Sequence, residues 1–299
     1  MVNHWQGILP ALWSPTDTDG KVLGEELRNN VRFVIERGVH GLLALGSTGE
    51  FLQLDPGQWR RLLEITLETA GSLPVVVNIS DIRPKIVAER AEFARNAGAA
   101  AVTVLPPYFF PVPQLDLVEF FVRAGEVAKL PLFLYNFPER TGNRIALETV
   151  AAVADRIELA GIKQSGAEFD YHKELISLGH EKGFVVVTGS DTRLEEAMNL
   201  GVAGCVSGLS NAVPELTVEI YNAVKQGDRA RASIATQRMQ SLGKLVERIE
   251  FPFNVSAIIE ARGQSVGHPK TIVSTDTQSR YQTLVEEFRT LFREWNLIQ

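Results

Sequence analysis

Eight short, nearly unbroken apolar runs are spaced along the first three quarters of the chain. They are Ile8 to Leu12, Gly41 to Leu45, Pro74 to Ile79, Ala100 to Leu105, Pro131 to Asn136, Leu159 to Lys163, Phe184 to Thr188 and Gly204 to Ser207. A strand with one wet face alternates apolar and polar residues. Continuous runs of this length are the pattern of parallel strands covered on both faces. Between and after them lie helical patterns: Glu25 to Arg37, Pro56 to Ala70, Pro84 to Ala97, Leu115 to Ala128, Leu147 to Ala154, Ala167 to Glu181, Thr192 to Leu200 and Pro214 to Gln226. Glycines 38, 71, 98, 183, 201 and 227 follow six of these, where a left-handed cap ends a helix without a Cβ penalty.

Strand and helix alternating eight times predict an α/β fold, a closed (β/α)8 TIM barrel rather than an open doubly wound sheet. The pattern changes after Gly227: helical stretches at about 228 to 249, 253 to 263 and 276 to 295 follow with no further strand. The expected organisation is a barrel over residues 1–227 that carries the active site, with a helical region over 228–299 packed on it.

In such a barrel, chemistry belongs to the loops after the strands. Those positions hold Gly46-Ser47-Thr48-Gly49-Glu50, Pro106-Pro107-Tyr108-Phe109, Tyr135-Asn136 running on to Arg140 and Gly142, Lys163, Gly189-Ser190-Asp191 and Ser207-Gly208. Lys163 stands out because it ends the apolar run Leu159-Ala160-Gly161-Ile162, where a charge is costly. A lysine amine in a dry pocket can attack a ketone and form a Schiff base, an electron sink for the neighbouring carbon. Tyr135, one strand over at the same height, suits a proton shuttle, with Ser47 or Tyr108 as a relay. Backbone N–H groups of the Gly46 to Gly49 turn suit a carboxylate. Together these groups suit a 2-keto acid such as pyruvate.

Each group alone has an ordinary structural reading. A strand-end lysine can snorkel to water, a lone tyrosine packs in a core, and an arginine such as Arg140 is commonly a solvated charge. Their convergence on one face of one barrel favours chemistry.

Composition narrows the partner. Of 299 residues, 45% are hydrophobic and 22% charged, an ordinary globular balance. The net charge is −6 and the basic residues are scattered, so the electrostatic footprint of a nucleic-acid binder is missing. The stretch Met1-Val-Asn-His-Trp-Gln6 lacks the basic and apolar regions of a signal peptide, and the apolar runs are broken short of the roughly 18 residues of a membrane span. The expectation is a cytoplasmic protein with a small-molecule partner, no nucleic acid and no membrane. The single cysteine, Cys205, reads as a buried, inert thiol. The histidines at 4, 40, 172, 180 and 268 lack zinc-ligand spacing, and neither a P-loop nor a GxGxxG fingerprint is present, so no metal and no cofactor is expected.

The segments "GLLALGSTGEFLQL", "YNFPERTG", "AGIKQS" and "VVTGSD" resemble, in order and spacing over nearly the whole chain, the dihydrodipicolinate synthase / N-acetylneuraminate lyase family. These are class I Schiff-base aldolases on a (β/α)8 barrel with a C-terminal helical region. The resemblance implies Lys163 as the Schiff-base lysine and Tyr135 as the proton shuttle. It makes Ser47 and Thr48 the hydroxyl pair at the keto-acid carboxylate and proton relay, and Arg140 the receiver of an aldehyde's carboxylate. Gly189 and Val206 match pocket-lining positions. Tyr108 matches a relay tyrosine that reaches a neighbouring subunit, which implies a homotetramer built as a dimer of dimers.

The substrate signals are mixed. Ser47 is lyase-like, whereas Asn136 and Arg140 are synthase-like. "VVVNISDIRPK" replaces a Gly-rich loop common after strand 3. Phe51, Leu52, Pro56 and Trp59 replace polar positions of the lysine-feedback site, so no inhibition by lysine is expected. The leading expectation is dihydrodipicolinate-synthase-like condensation of pyruvate with an aldehyde such as aspartate semialdehyde. The alternatives are retro-aldol cleavage or dehydration of a 2-keto-3-deoxy sugar acid or N-acetylneuraminate and, from another class, a non-catalytic keto-acid-binding barrel.

Overall fold

The computed structural model describes residues 5–166 and 168–299; Met1 to His4, and the expected helix start at Ala167, lie outside the described residues. The apolar runs form β1 (Gly7–Pro10), β2 (Leu42–Ala44), β3 (Val75–Asn78), β4 (Ala101–Val104), β5 (Leu132–Asn136), β6 (Leu159–Gln164), β7 (Val185–Thr188) and β8 (Gly204–Ser207). All neighbours pair in parallel, in the order β1-β8-β7-β6-β5-β4-β3-β2. The two ends meet through a parallel bridge between Ala11 and Leu43, where the Leu12 N–H donates to the Leu43 carbonyl at 2.9 Å. The result is a nearly closed (β/α)8 barrel.

Its helices are α1 (Gly24–Ile35), α2 (Pro56–Ala70), α3 (Pro84–Asn96), α4 (Gln114–Ala128), α5 (Pro138–Thr141), α6 (Leu147–Ala154), α7 (Phe169–Lys182), α8 (Leu194–Leu200) and α9 (Pro214–Gln226). The helical region adds α10 (Arg229–Val246), α11 (Phe253–Ala261) and α12 (Thr275–Glu294). The boundaries fall within a few residues of those expected. The one-turn α5 lies inside the stretch expected as a loop after β5.

The core has two compartments, as strands covered on both faces require. The large one lies between strands and helices and includes Leu42, Val77, Val102, Leu134 and Ile162. A smaller one fills the barrel interior with Leu9, Leu43, Val76, Phe133, Val187 and Val206. Alternation along each strand sends successive side chains into the two in turn. The seam between β1 and β8 needs Gly204, since a β-carbon there would lie 1.9 Å from the Gly7 carbonyl oxygen.

Candidate active site

Register sets the centre of the site. Tyr135 on β5 pairs directly with Lys163 on β6. Alternation turns both inward at the C-terminal end of the barrel, above Phe133. Gly161 makes room for that lower layer, since a β-carbon on it would lie 2.5 Å from the Phe133 ring. Lys163 is 6% exposed and Tyr135 2%. The Lys163 Nζ lies 4.2 Å from the centroid of the Tyr135 ring, and no carboxylate among the described residues forms an ion pair with it. Beneath it is an interior cavity of about 20 Å³, bounded by Thr103, Phe133 and Val206 and large enough for one water. Gly189, after β7, is obligatory for this arrangement. A β-carbon there would meet the Ser165 hydroxyl at 2.1 Å and the Lys163 Cε at 3.1 Å.

The turn after β2 brings in the hydroxyl groups. The Ser47 Oγ and the Tyr135 hydroxyl are 3.4 Å apart. Thr48 is buried, beside Gly208. The turn is flanked by two non-glycine residues in the left-handed region, Leu45 (φ 63°) and Glu50 (φ 53°). Such residues persist only where their surroundings hold them. Asn78 Nδ2 holds the first by donating to the Leu45 carbonyl at 2.9 Å; Ser80, which donates to Asn78 Oδ1, accepts in turn from the Leu105 N–H. Asn78-Ile79-Ser80, at the exit of β3 where a Gly-rich loop was expected to be missing, therefore locks the exits of β2 and β4. Among the described residues, the N–H groups of Ser47, Thr48 and Gly49 make no hydrogen bond, which leaves them available to an anion.

The loop after β5 is held by its own side chains. Asn136 is fully buried and accepts from the Ile145 N–H at 2.9 Å. Asn143 donates to the Pro107 and Phe110 carbonyls and accepts from the Val112 N–H, which ties the Tyr108 loop to the Arg140 loop. Arg140 is exposed, 5.4 Å from the centroid of the Phe251 ring, and has no ion-pair partner among the described residues. Ser47, Tyr108 and Arg140 line a cleft of about 770 Å³ whose other wall comes from Phe251, Phe253, Lys270 and α12. Lys163 and Tyr135 do not line it. They lie one hydroxyl contact beneath, through Ser47. Tyr108 is not hydrogen-bonded to Ser47 or Tyr135; it sits by Asp81, Arg83 and Arg90, and burial raises its pKa. Val206 lies inside the barrel, below the amine.

Sequence reasoning left Asp191 unassigned. Its carboxylate accepts from the Leu209 N–H at 3.3 Å, and Oδ1 is 4.0 Å from the Cys205 sulfur. Burial raises its pKa, opposed by the Ser207 hydroxyl, the Leu209 N–H and the Lys163 charge. Its place directly after β7 was the available signal. Cys205 is a buried thiol whose pKa is pushed well up by burial.

The sequence pattern of the dihydrodipicolinate synthetase family matches residues 4–288. The chain belongs to this family. It is 30% identical over 289 residues to the 4-hydroxy-tetrahydrodipicolinate synthase of Methanopyrus kandleri, spanning 96% of each chain. It is also 30% identical over 272 residues to a probable 2-dehydro-3-deoxy-D-pentonate aldolase of Escherichia coli, 90% of this chain and 89% of that one. Among solved structures it is similar to YagE, an E. coli K12 prophage protein of the dihydrodipicolinic acid synthase family in complex with pyruvate. There the TM-score is 0.90 at 26% identity, over 97% of this chain and 99% of that one. Members of the dihydrodipicolinate synthetase family are lyases and aldolases, so this barrel is an enzyme of that class rather than a non-catalytic binder.

Asp191 gives the site a pH signature. Because its native pKa is raised, the stability it contributes is full below the unfolded-state value of about 3.9 and is lost as pH rises through the native value. Asp191→Asn removes that loss. In thermal unfolding, the melting temperature of Asp191→Asn relative to wild type should rise between about pH 4 and pH 7. A difference that stays constant with pH contradicts the placement of this carboxyl.

Proposed function

We propose that this family member is a pyruvate-dependent class I aldolase in which Lys163 forms the Schiff base. The supporting observation is the buried amine stacked on Tyr135, whose hydroxyl reaches Ser47 on the turn that borders the cleft. In this reading the free N–H groups of the turn hold the carboxylate of pyruvate, and the Lys163 amine attacks the C2 carbonyl to give a carbinolamine. Tyr135 delivers the proton that lets hydroxide leave as water, with Ser47 passing protons between Tyr135 and the cleft. The imine draws electrons from C3, which loses a proton to become an enamine and adds to the aldehyde carbon. No metal or cofactor enters this scheme.

Arg140 favours condensation with a carboxylated aldehyde such as aspartate semialdehyde, since an exposed guanidinium free of any internal carboxylate can receive one bidentately. A second reading, cleavage or dehydration of a 2-keto-3-deoxy sugar acid or N-acetylneuraminate, has Asp191 on its side, because a carboxyl at the site can read hydroxyl groups. Assays of pyruvate consumption and release over a panel of aldehydes and keto-deoxy acids separate them. Arg140→Ala should lower kcat/KM for a carboxylated aldehyde by about 100-fold, the scale of a lost charge-assisted contact, while sparing pyruvate binding. Unchanged turnover on that aldehyde would remove the support for the synthase reading.

We also propose a homotetramer of cytoplasmic location, without lysine inhibition. Phe109 and Phe110, 84% and 68% exposed beside Tyr108, support the assembly, since adjacent aromatic side chains left open on a surface fit a subunit contact. Trp59 is buried in the core, and Phe51 and Leu52, which border the cleft, offer a polar effector only hydrocarbon. Sedimentation should show a tetramer for wild type and smaller species for Phe109→Glu/Phe110→Glu; a wild-type monomer contradicts the assembly.

A further inference from the structure

The turn that carries Ser47 is gripped at its far end from across the molecule. Lys270, in the segment between α11 and α12, donates from Nζ to Glu50 Oε2 at 2.6 Å. Both side chains are enclosed, 4% and 12% exposed, and the Lys270 Nζ lies 4.6 Å from the centroid of the Trp13 ring. Trp13 anchors the same segment through its indole N–H, which donates to the Val266 carbonyl at 2.8 Å. Gly267 bridges Thr16, and the His268 N–H donates to the Thr16 carbonyl at 2.7 Å. The segment is thus fixed to the exit of β1 before it reaches Glu50.

Glu50 is one of the two left-handed residues that flank the turn, and its N–H donates to the Ser47 carbonyl at 3.0 Å. The other, Leu45, is held by Asn78. A buried ion pair adds little net stability, because desolvating both charges offsets most of their attraction; its best-attested use is to fix one arrangement over its alternatives. Burial lowers the Lys270 pKa and the Glu50 charge opposes that shift.

We propose that Lys270 is a positioning residue: through Glu50 it holds the Gly46–Glu50 turn so that the Ser47 hydroxyl stays at Tyr135. The helical region then acts in the chemistry through the placement of Ser47, besides walling the cleft. This proposal rests on the reading of Lys163, Tyr135 and Ser47 as the Schiff-base machinery.

Two readouts test it. The first is hydrogen exchange of peptides covering residues 43–53, which is independent of any reaction. The second is the kcat and KM of pyruvate imine formation, followed by reductive trapping. Lys270→Met strands the Glu50 charge and is expected to unfold or weaken the protein, so the decisive variant is Lys270→Met/Glu50→Gln, which removes both charges. It should keep a near-native melting temperature, exchange faster in 43–53, and lose at least about tenfold in kcat, the scale of a modest misplacement of a reacting group. Lys270→Arg should keep kcat within about threefold of wild type, and Glu50→Asp, one methylene short, should slow trapping without lowering the melting temperature. If the double variant does not fold, this last pair decides. Wild-type exchange and wild-type kcat in the double variant, or in Glu50→Asp, overturn the proposal. If wild type itself traps no pyruvate, the Schiff-base reading fails, and the exchange data still decide whether Lys270 holds the turn.

Discussion

The site depends on the register of β5 against β6. Pairing Tyr135 with Lys163 puts a phenol and an amine side by side at the inner, C-terminal end of the barrel. A slip of either strand by one residue would turn its member of the pair outward, into the layer of Leu134 and Ile162, because strand side chains alternate strictly between faces. The apolar interior below, with Phe133 tucked over Gly161 and Val206 on the far wall, makes the correct register the one that buries the most. The packing that closes the barrel is also what aims the amine.

Above that layer the backbone leaves the ladder, and its polar groups need other partners. Three asparagines supply many of them: Asn78 to the turn after β2, Asn136 to the loop after β5, and Asn143 to the loop after β4. Each is a short side chain that mimics a peptide, so it can satisfy a backbone that is neither helix nor strand. The cleft mouth is a laced set of loops on a rigid barrel, a design that lets the far wall change while the amine and phenol stay fixed. The family's spread of relatives, from a synthase to a probable pentonate aldolase, fits that division.

The barrel was readable in the sequence because parallel strands covered on both faces leave continuous apolar runs, and because glycines such as Gly183 and Gly227 end helices in the left-handed region. The amine and the phenol were readable because each closes an apolar strand run, and the hydroxyl pair because it follows one. What was not readable depends on contacts distant in sequence. Nothing near Lys270 announces its partner 220 residues away. Asn143 reads as an ordinary turn residue until the Tyr108 loop is laid against it. The short α5 hides in a Pro-Glu-Arg-Thr stretch too brief for any periodicity. Asp191 follows β7 in plain view, but its raised pKa comes from burial beside Cys205, Ser207 and Leu209, none of them its neighbours in the chain.

The central claim is that the buried Lys163 amine is the group that bonds to substrate. Incubating the protein with pyruvate and borohydride, then mapping peptides by mass spectrometry, tests it directly. A single carboxyethyl group should appear on Lys163, absent from Lys163→Ala and formed more slowly in Tyr135→Phe. No adduct, or one that persists in Lys163→Ala, would contradict it.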